Sequence, residues 1–174
     1  MNAPDPTTTI NLDRYGNPPL EWSRVREQLD QLSASEDLPC FLATTSPDGT
    51  PHVVGIGALW LDGSYYVVSG PSTRKSRNLA ANPACALAVR LPAVDATFEG
   101  IAERVTDTAT LERVAATYRS GGWPAQVEGD AFTAPYSAPS AGPAPWQLYR
   151  IALRSVHAVA TAEPGGATRW RFDG

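Results

Sequence analysis

Three short runs of turn residues govern what this chain can become. Pro47-Asp48-Gly49, Asp62-Gly63 and Pro164-Gly165-Gly166 each fall between two stretches rich in apolar, strand-forming residues. Turns this tight join strands that double back, because a parallel pair needs a crossover of a dozen residues or more. The sheet is therefore read as antiparallel, and a doubly wound parallel sheet is excluded. The strands expected are Cys40 to Thr45, His52 to Leu61, Tyr65 to Val68, Ala84 to Leu91, Ala96 to Val105, Gln147 to Ala160, and a last one through Trp170-Arg171-Phe172. Apolar residues recur at helical spacing in residues 21–35 (Trp22, Val25, Leu29, Leu32) and 108–119 (Leu111, Val114, Ala115, Tyr118). A short helix is expected from about Thr73 to Ala81, stopped by Asn82-Pro83. Six or seven short strands joined by tight turns imply a mainly β fold whose sheet curls into a small barrel, with peripheral helices.

One domain accounts for residues 21–174, a length that buries a sizeable core. Residues 1–20 carry Pro4, Pro6, Pro18 and Pro19 and few apolar side chains, so they read as a flexible arm, ordered only if something covers it. A net charge of −4 gives no nucleic-acid footprint and no polybasic membrane anchor. No apolar run approaches the roughly 20 residues that span a bilayer. The start of the chain lacks a basic segment followed by an apolar one, so no signal peptide is read there. Cys40 and Cys85 both lie in apolar strand-like runs and are expected to be buried free thiols, which fits a cytoplasmic protein. Two cysteines and the distant His52 and His157 make no metal site.

Lys75 is the only lysine, against thirteen arginines. It sits in Ser72-Thr73-Arg74-Lys75-Ser76-Arg77-Asn78, just after the Gly70-Pro71 turn and at the start of the short helix. Hydroxyls, cations and backbone N–H groups at a helix N-terminus bind phosphate, and a local basic cluster on an acidic protein suits a small anionic ligand. A solvated first turn is the competing reading. The strand from His52 holds a second signal. Gly55 and Gly57 leave bare backbone on one of its faces, for which either a flat ring lying on the strand or a tight barrel bend is a reason. Residues 121–145 hold five prolines and four glycines with no periodicity. Trp123, Phe132, Tyr136 and Trp146 argue against a disordered linker, so this stretch reads as a lid or a dimer-spanning loop.

Taken together, FLATTSPDGTPHVVGIGALW, STRKSRNLAANPACALAV and FEGIAERVTD resemble the flavin-binding split β-barrel superfamily that includes the pyridoxamine 5′-phosphate oxidases. AFTAPYSAPSAGPAPWQLYRI and GGATRWRF resemble, within it, the actinobacterial branch that uses the deazaflavin coenzyme F-420. The resemblance implies a six-stranded antiparallel split barrel, a homodimer, and two cofactor sites at its interface. It implies that Thr73, Arg74 and Lys75 hold the cofactor phosphate, with Ser72 and Asn78 beside them. It implies that the ring lies along Val54, Gly55, Ile56 and Gly57, and that a partner subunit closes the site near Trp146 or Trp170. Activity would then be hydride transfer between F-420 and a small organic substrate. An FMN-dependent oxidase, or a carrier of flavin, F-420 or haem without turnover, is the alternative. The Arg169-Trp170-Arg171 ending matches the substrate-phosphate cluster of pyridoxamine phosphate oxidases only distantly. No catalytic acid, base or nucleophile is legible, as suits a reaction whose chemistry resides in a cofactor.

Overall fold

A computed structural model describes residues 4–31, 38–136 and 141–173. Strands β1 (Thr8–Asn11), β2 (Cys40–Thr45), β3 (Pro51–Ile56), β4 (Ala58–Leu61), β5 (Ser64–Ser69), β6 (Ala84–Arg90), β7 (Val94–Val105), β8 (Gln126–Glu128), β9 (Ala131–Thr133), β10 (Gln147–Ala160) and β11 (Ala167–Arg171) alternate with three helices. These are α1 (Trp22–Gln31), α2 (Arg74–Ala81) and α3 (Thr108–Ser120). The expected helix over residues 21–35 runs to Gln31, and its remaining positions lie outside the described residues.

All the strand pairs are antiparallel. The strand expected from His52 to Leu61 is two strands, with Gly57 between them. β3 pairs with β2 and β4 pairs with β5, so the chain passes from one side of the barrel to the other at this glycine. Counting β3 and β4 as one bent strand, the pairings β2–β3, β4–β5, β5–β10, β10–β7, β7–β6 and β6–β2 close a six-stranded circuit. The fold is thus an antiparallel split β-barrel.

The long strand β10 creates the split. Its first part, Gln147 to Ile151, pairs with β5, and its second part, Ser155 to Val159, pairs with β11. Between them the register against β7 shifts at Leu153/Ser155, so that Arg154 is an extra residue. A one-residue bulge exchanges the two faces of a strand. Accordingly Tyr149, Ile151 and Leu153 point into the barrel before it, and Val156 and Ala158 after it. Gly100 lies opposite this bulge, where a Cβ would stand 2.3 Å from the Ala152 carbonyl oxygen.

Two apolar clusters result. The barrel interior joins Leu42, Val67, Leu87, Phe98 and Ile151 to Trp22, Val25 and Leu29 of α1 and to Trp170 and Phe172. A second cluster lies on the outer side of β5 and β10. There Leu111, Val114 and Ala115 of α3 meet Tyr66, Leu148, Phe132 and Trp146.

Three strands escape the sequence reading. The described part of the arm, residues 4–20, is tied down: its Thr8 to Asn11 pair with Thr168 to Arg171. Leu20 N–H also donates to the buried Thr168 hydroxyl at 2.7 Å. The stretch 121–145 contains the β8–β9 hairpin. Its Trp123 and Phe132, with Trp146 just beyond its end, pack into the second cluster together with Tyr118 of α3.

Candidate functional site: the turn from β5 into α2

β5 ends at Ser69, and Thr73 caps α2 after a turn through Gly70, Pro71 and Ser72. The Thr73 hydroxyl accepts from Ser76 N–H at 3.3 Å, as an N-cap should. It also lies 2.9 Å from Ser69 Oγ, and Ser76 Oγ lies 2.8 Å from that same oxygen. Three hydroxyls are therefore gathered at the positive end of the helix. Gly70 O accepts from Thr73 N–H at 3.1 Å and from the Thr73 hydroxyl at 2.9 Å, which holds the turn closed.

The cations divide by position. Arg74 is exposed and donates to Ser46 Oγ at 3.1 Å, so it leans toward the β2–β3 hairpin. Arg77 folds back onto Ser72 O at 2.6 Å. Lys75 is only 5% exposed, and burial holds its ammonium below the ordinary lysine pKa. Asn78 is buried and donates to Thr44 Oγ1 of β2 at 3.0 Å, fastening α2 to the barrel end. Two cations in the first turn oppose the helix dipole, which favours anions there. First-turn N–H groups have no intrahelical acceptor. Hydroxyls, a guanidinium, an ammonium and such N–H groups together form a donor set that fits a phosphate.

The ring platform expected over Val54 to Gly57 is an edge. Val54 and Ile56 turn toward the interior row of Leu42 and Cys40, and Gly55 faces outward opposite Phe41. The hairpin bond from Ser46 N–H to Thr50 O sets the ladder phase. In that phase the peptide groups of Val53 and Gly55 point away from β2, along an edge that no other described strand covers. A Cβ on Gly55 or Gly57 would meet nothing within 4 Å, so no atom of this chain demands glycine there. Gly57 does mark the barrel bend between β3 and β4.

The structure places Ser72, Thr73, Arg74, Lys75 and Asn78 along the turn and the start of α2, and joins Ser69 and Ser76 to Thr73, Ser46 to Arg74 and Thr44 to Asn78. The hydroxyl-rich strand ends Thr44-Thr45-Ser46 and Ser69 are the sequence signal that would have found these additions. Trp146 and Trp170 stand apart. Trp146 is 1% exposed and donates Nε1–H to Gly142 O, and Trp170 is equally buried against Trp22. Neither offers this chain an open face. Arg24 donates to Ala162 O and Pro164 O, and Arg26 pairs with Asp5 at 3.4 Å, so both are committed elsewhere. His52 is half-buried opposite Thr44, and His157 lies 3.8 Å from Glu99 on the outer face.

A closed six-stranded antiparallel circuit, split along β10 and carrying this turn, defines a split-barrel class of cofactor-binding folds. The family model described as "Pyridoxamine 5′-phosphate oxidase" matches residues 25–160, and the chain belongs to that family. No curated protein matches the sequence. Among solved structures, the conserved hypothetical protein Rv2991 from Mycobacterium tuberculosis is 18% identical, covers 84% of this chain and 88% of its own, and superposes at a TM-score of 0.58. A nimc/nima family protein from Clostridium acetobutylicum is 14% identical over 86% of this chain and 91% of its own, at 0.56. Both likenesses concern the fold alone. An F420 reductase is 25% identical over 71% of this chain and 91% of its own, but its TM-score of 0.48 leaves it without weight in the choice of cofactor. No described helix is long and apolar enough to cross a membrane.

Proposed function

We propose that the protein is an oxidoreductase that binds a phosphate-bearing flavin-type cofactor and passes a hydride between it and a small organic substrate. The observation that carries this reading is the donor set at the start of α2, with a buried ammonium placed where the helix itself disfavours it. Thr73, Arg74 and Lys75 would hold the phosphate, with Ser72 and Asn78 at its margin. Gly55 and the free edge of β3 would meet the ring, since peptide N–H and C=O groups there suit its polar rim. Such a cofactor supplies the hydride chemistry when bound. The residues of this chain bind, orient and exclude water.

Deazaflavin F-420 is the first choice of cofactor, on the resemblance of the quoted motifs to the F-420-using branch. FMN is the second, and the family name favours it. The functional unit proposed is a homodimer. Phe41 and Val53 are 49% and 62% exposed beside the open β3 edge. An uncovered edge flanked by apolar side chains is a liability that a second copy would remove. Titrating the purified protein with F-420, FMN and haem, followed by absorbance and fluorescence, tests the reading. Saturable binding of F-420 or FMN that Arg74→Ala weakens is expected. Binding of haem alone would refute it, and light scattering that gives a monomer at micromolar concentration would refute the dimer.

A further inference from the structure

The second apolar cluster reaches the candidate site through Gly70. A Cβ built on Gly70 would lie 2.1 Å from the Ala141 carbonyl oxygen and 3.2 Å from its carbon. Ordinary contact begins near 3.4 Å, so even a methyl group is more than 1 Å too close to a backbone atom. The chain at Ala141 therefore lies flat against the turn that leads from β5 into α2.

Both partners in this contact are held firmly. On one side, Trp146 Nε1–H donates to Gly142 O at 3.1 Å. The amide and carbonyl of Trp146 exchange hydrogen bonds of 2.8 and 2.7 Å with Phe132. Its ring packs against Trp123 at 5.9 Å between centroids, and Trp123 in turn meets Tyr118 of α3. Gln147, the next residue, pairs with Ser69. On the other side, Gly70 O accepts both the amide and the hydroxyl of Thr73. Thr73 is the cap, so the position of Gly70 O sets the position of the first turn of α2.

We propose that Ala141 to Trp146 form a brace, seated by the aromatic cluster, and that Gly70 is the positioning residue through which it fixes the anion-binding turn. The brace then determines how strongly the protein prefers a phosphorylated ligand to the same ring without its phosphate. This rests on reading the turn as a phosphate site. Hydrogen bonds weaken steeply with distance and angle, so a displacement of about 1 Å at Gly70 removes donors from the phosphate while leaving a remote ring contact intact.

The test compares FMN with riboflavin, and F-420 with its phosphate-free deazaflavin riboside, on the full chain. Gly70→Ala is expected to lose roughly tenfold in affinity for the phosphorylated member of a pair and nothing for the other, which is about one charge-assisted hydrogen bond. Trp146→Phe keeps an aromatic ring in place, removes the donor to Gly142 and trims part of the ring packed against Trp123. It is expected to show the same selective loss at about a few-fold, and serves if Gly70→Ala fails to fold. Circular dichroism and melting temperature are read alongside. Variants that keep the parent's discrimination, or lose both ligands equally, overturn the brace. Arg74→Ala separates the two ideas. If it abolishes discrimination while the brace variants retain it, the phosphate site stands and the brace falls. If Arg74→Ala also leaves discrimination intact, or the parent binds neither pair, the phosphate reading falls and takes the brace with it.

Discussion

Replacing Lys75 with methionine should separate stability from binding. The side chain is 95% out of water, yet it carries a charge at the positive end of a helix. Burial lowers its pKa from 10.5, so the folded, ligand-free protein holds this proton less tightly than the unfolded chain does. For a base, that direction means a cost in stability at every pH below the depressed value, fading as pH climbs toward 10.5. Methionine keeps the stem and deletes the titrating charge, so the stability of the parent relative to Lys75→Met should rise as pH climbs toward 10.5. Binding should move the other way. One charge-assisted hydrogen bond to phosphate is worth about 1.5–3 kcal/mol, which is roughly ten- to hundredfold in affinity. A bound anion draws the proton back onto Lys75. The parent's affinity should therefore fall as pH rises through the depressed value, and Lys75→Met should be flat across the same window. Fluorescence titration with F-420 or FMN at a series of pH values, with thermal melts over the same series, measures both. A variant that keeps the parent's affinity and pH slope, or a stability difference from the parent that does not change with pH, refutes the argument.

Gly55→Val should leave the melting temperature near that of the parent, because a Cβ there meets nothing and valine suits strands, while abolishing saturable cofactor binding. A folded variant that still binds would show that the bare strand serves no ring. Burial raises the Cys85 thiol to about 11. The unfolded state then ionises first, so stability should decline between about pH 9 and pH 11, and Cys85→Ala should flatten that decline in urea titrations. Phe132→Ala empties the middle of the second cluster and should cost about 3–5 kcal/mol by chemical denaturation. A cost below about 1 kcal/mol would mean the β8–β9 hairpin is only loosely attached.

The barrel was readable wherever neighbours in sequence are neighbours in space. Asp62-Gly63 and Pro47-Asp48-Gly49 each announce a hairpin, and both turn glycines take positive φ, at +76° and +83°. Thr73 was readable as the start of α2 because capping is local chemistry. What escaped depends on distant partners. Thr8 to Asn11 carry no alternating apolar pattern and become a strand only because β11 offers an open edge. β8 and β9 are three residues each, too short for any period to show. The resemblance puts Trp146 or Trp170 at a partner's closure of the site, and sequence alone does not say how deeply each is enclosed within its own chain. Their burial comes from α3 and α1, elements that pack from well outside their own stretch of chain. The cluster of hydroxyls and cations proposed to hold a phosphate is visible in the sequence as a string of residue types. Its completion by Ser46 and Thr44 is not, since β2 meets α2 only in three dimensions.

The pairing of β1 with β11 has a consequence for the order in which the molecule assembles and comes apart. Thr7 and Arg171 are bonded across 164 positions of chain. Closing so large a loop in the unfolded chain costs about 3 kcal/mol more in entropy than closing the β2–β3 hairpin. β1 gains little in return, since most of its side chains are exposed. It should dock last, after β10 and β11 have formed, and leave first. Hydrogen exchange would then find the amides of β1 in fast, local opening while β10 exchanges only with global unfolding. Each opening bares the outer edge of β11 for as long as it lasts, so the arm acts as a removable guard on that edge of the sheet, at the opposite end of the strand order from the open edge of β3.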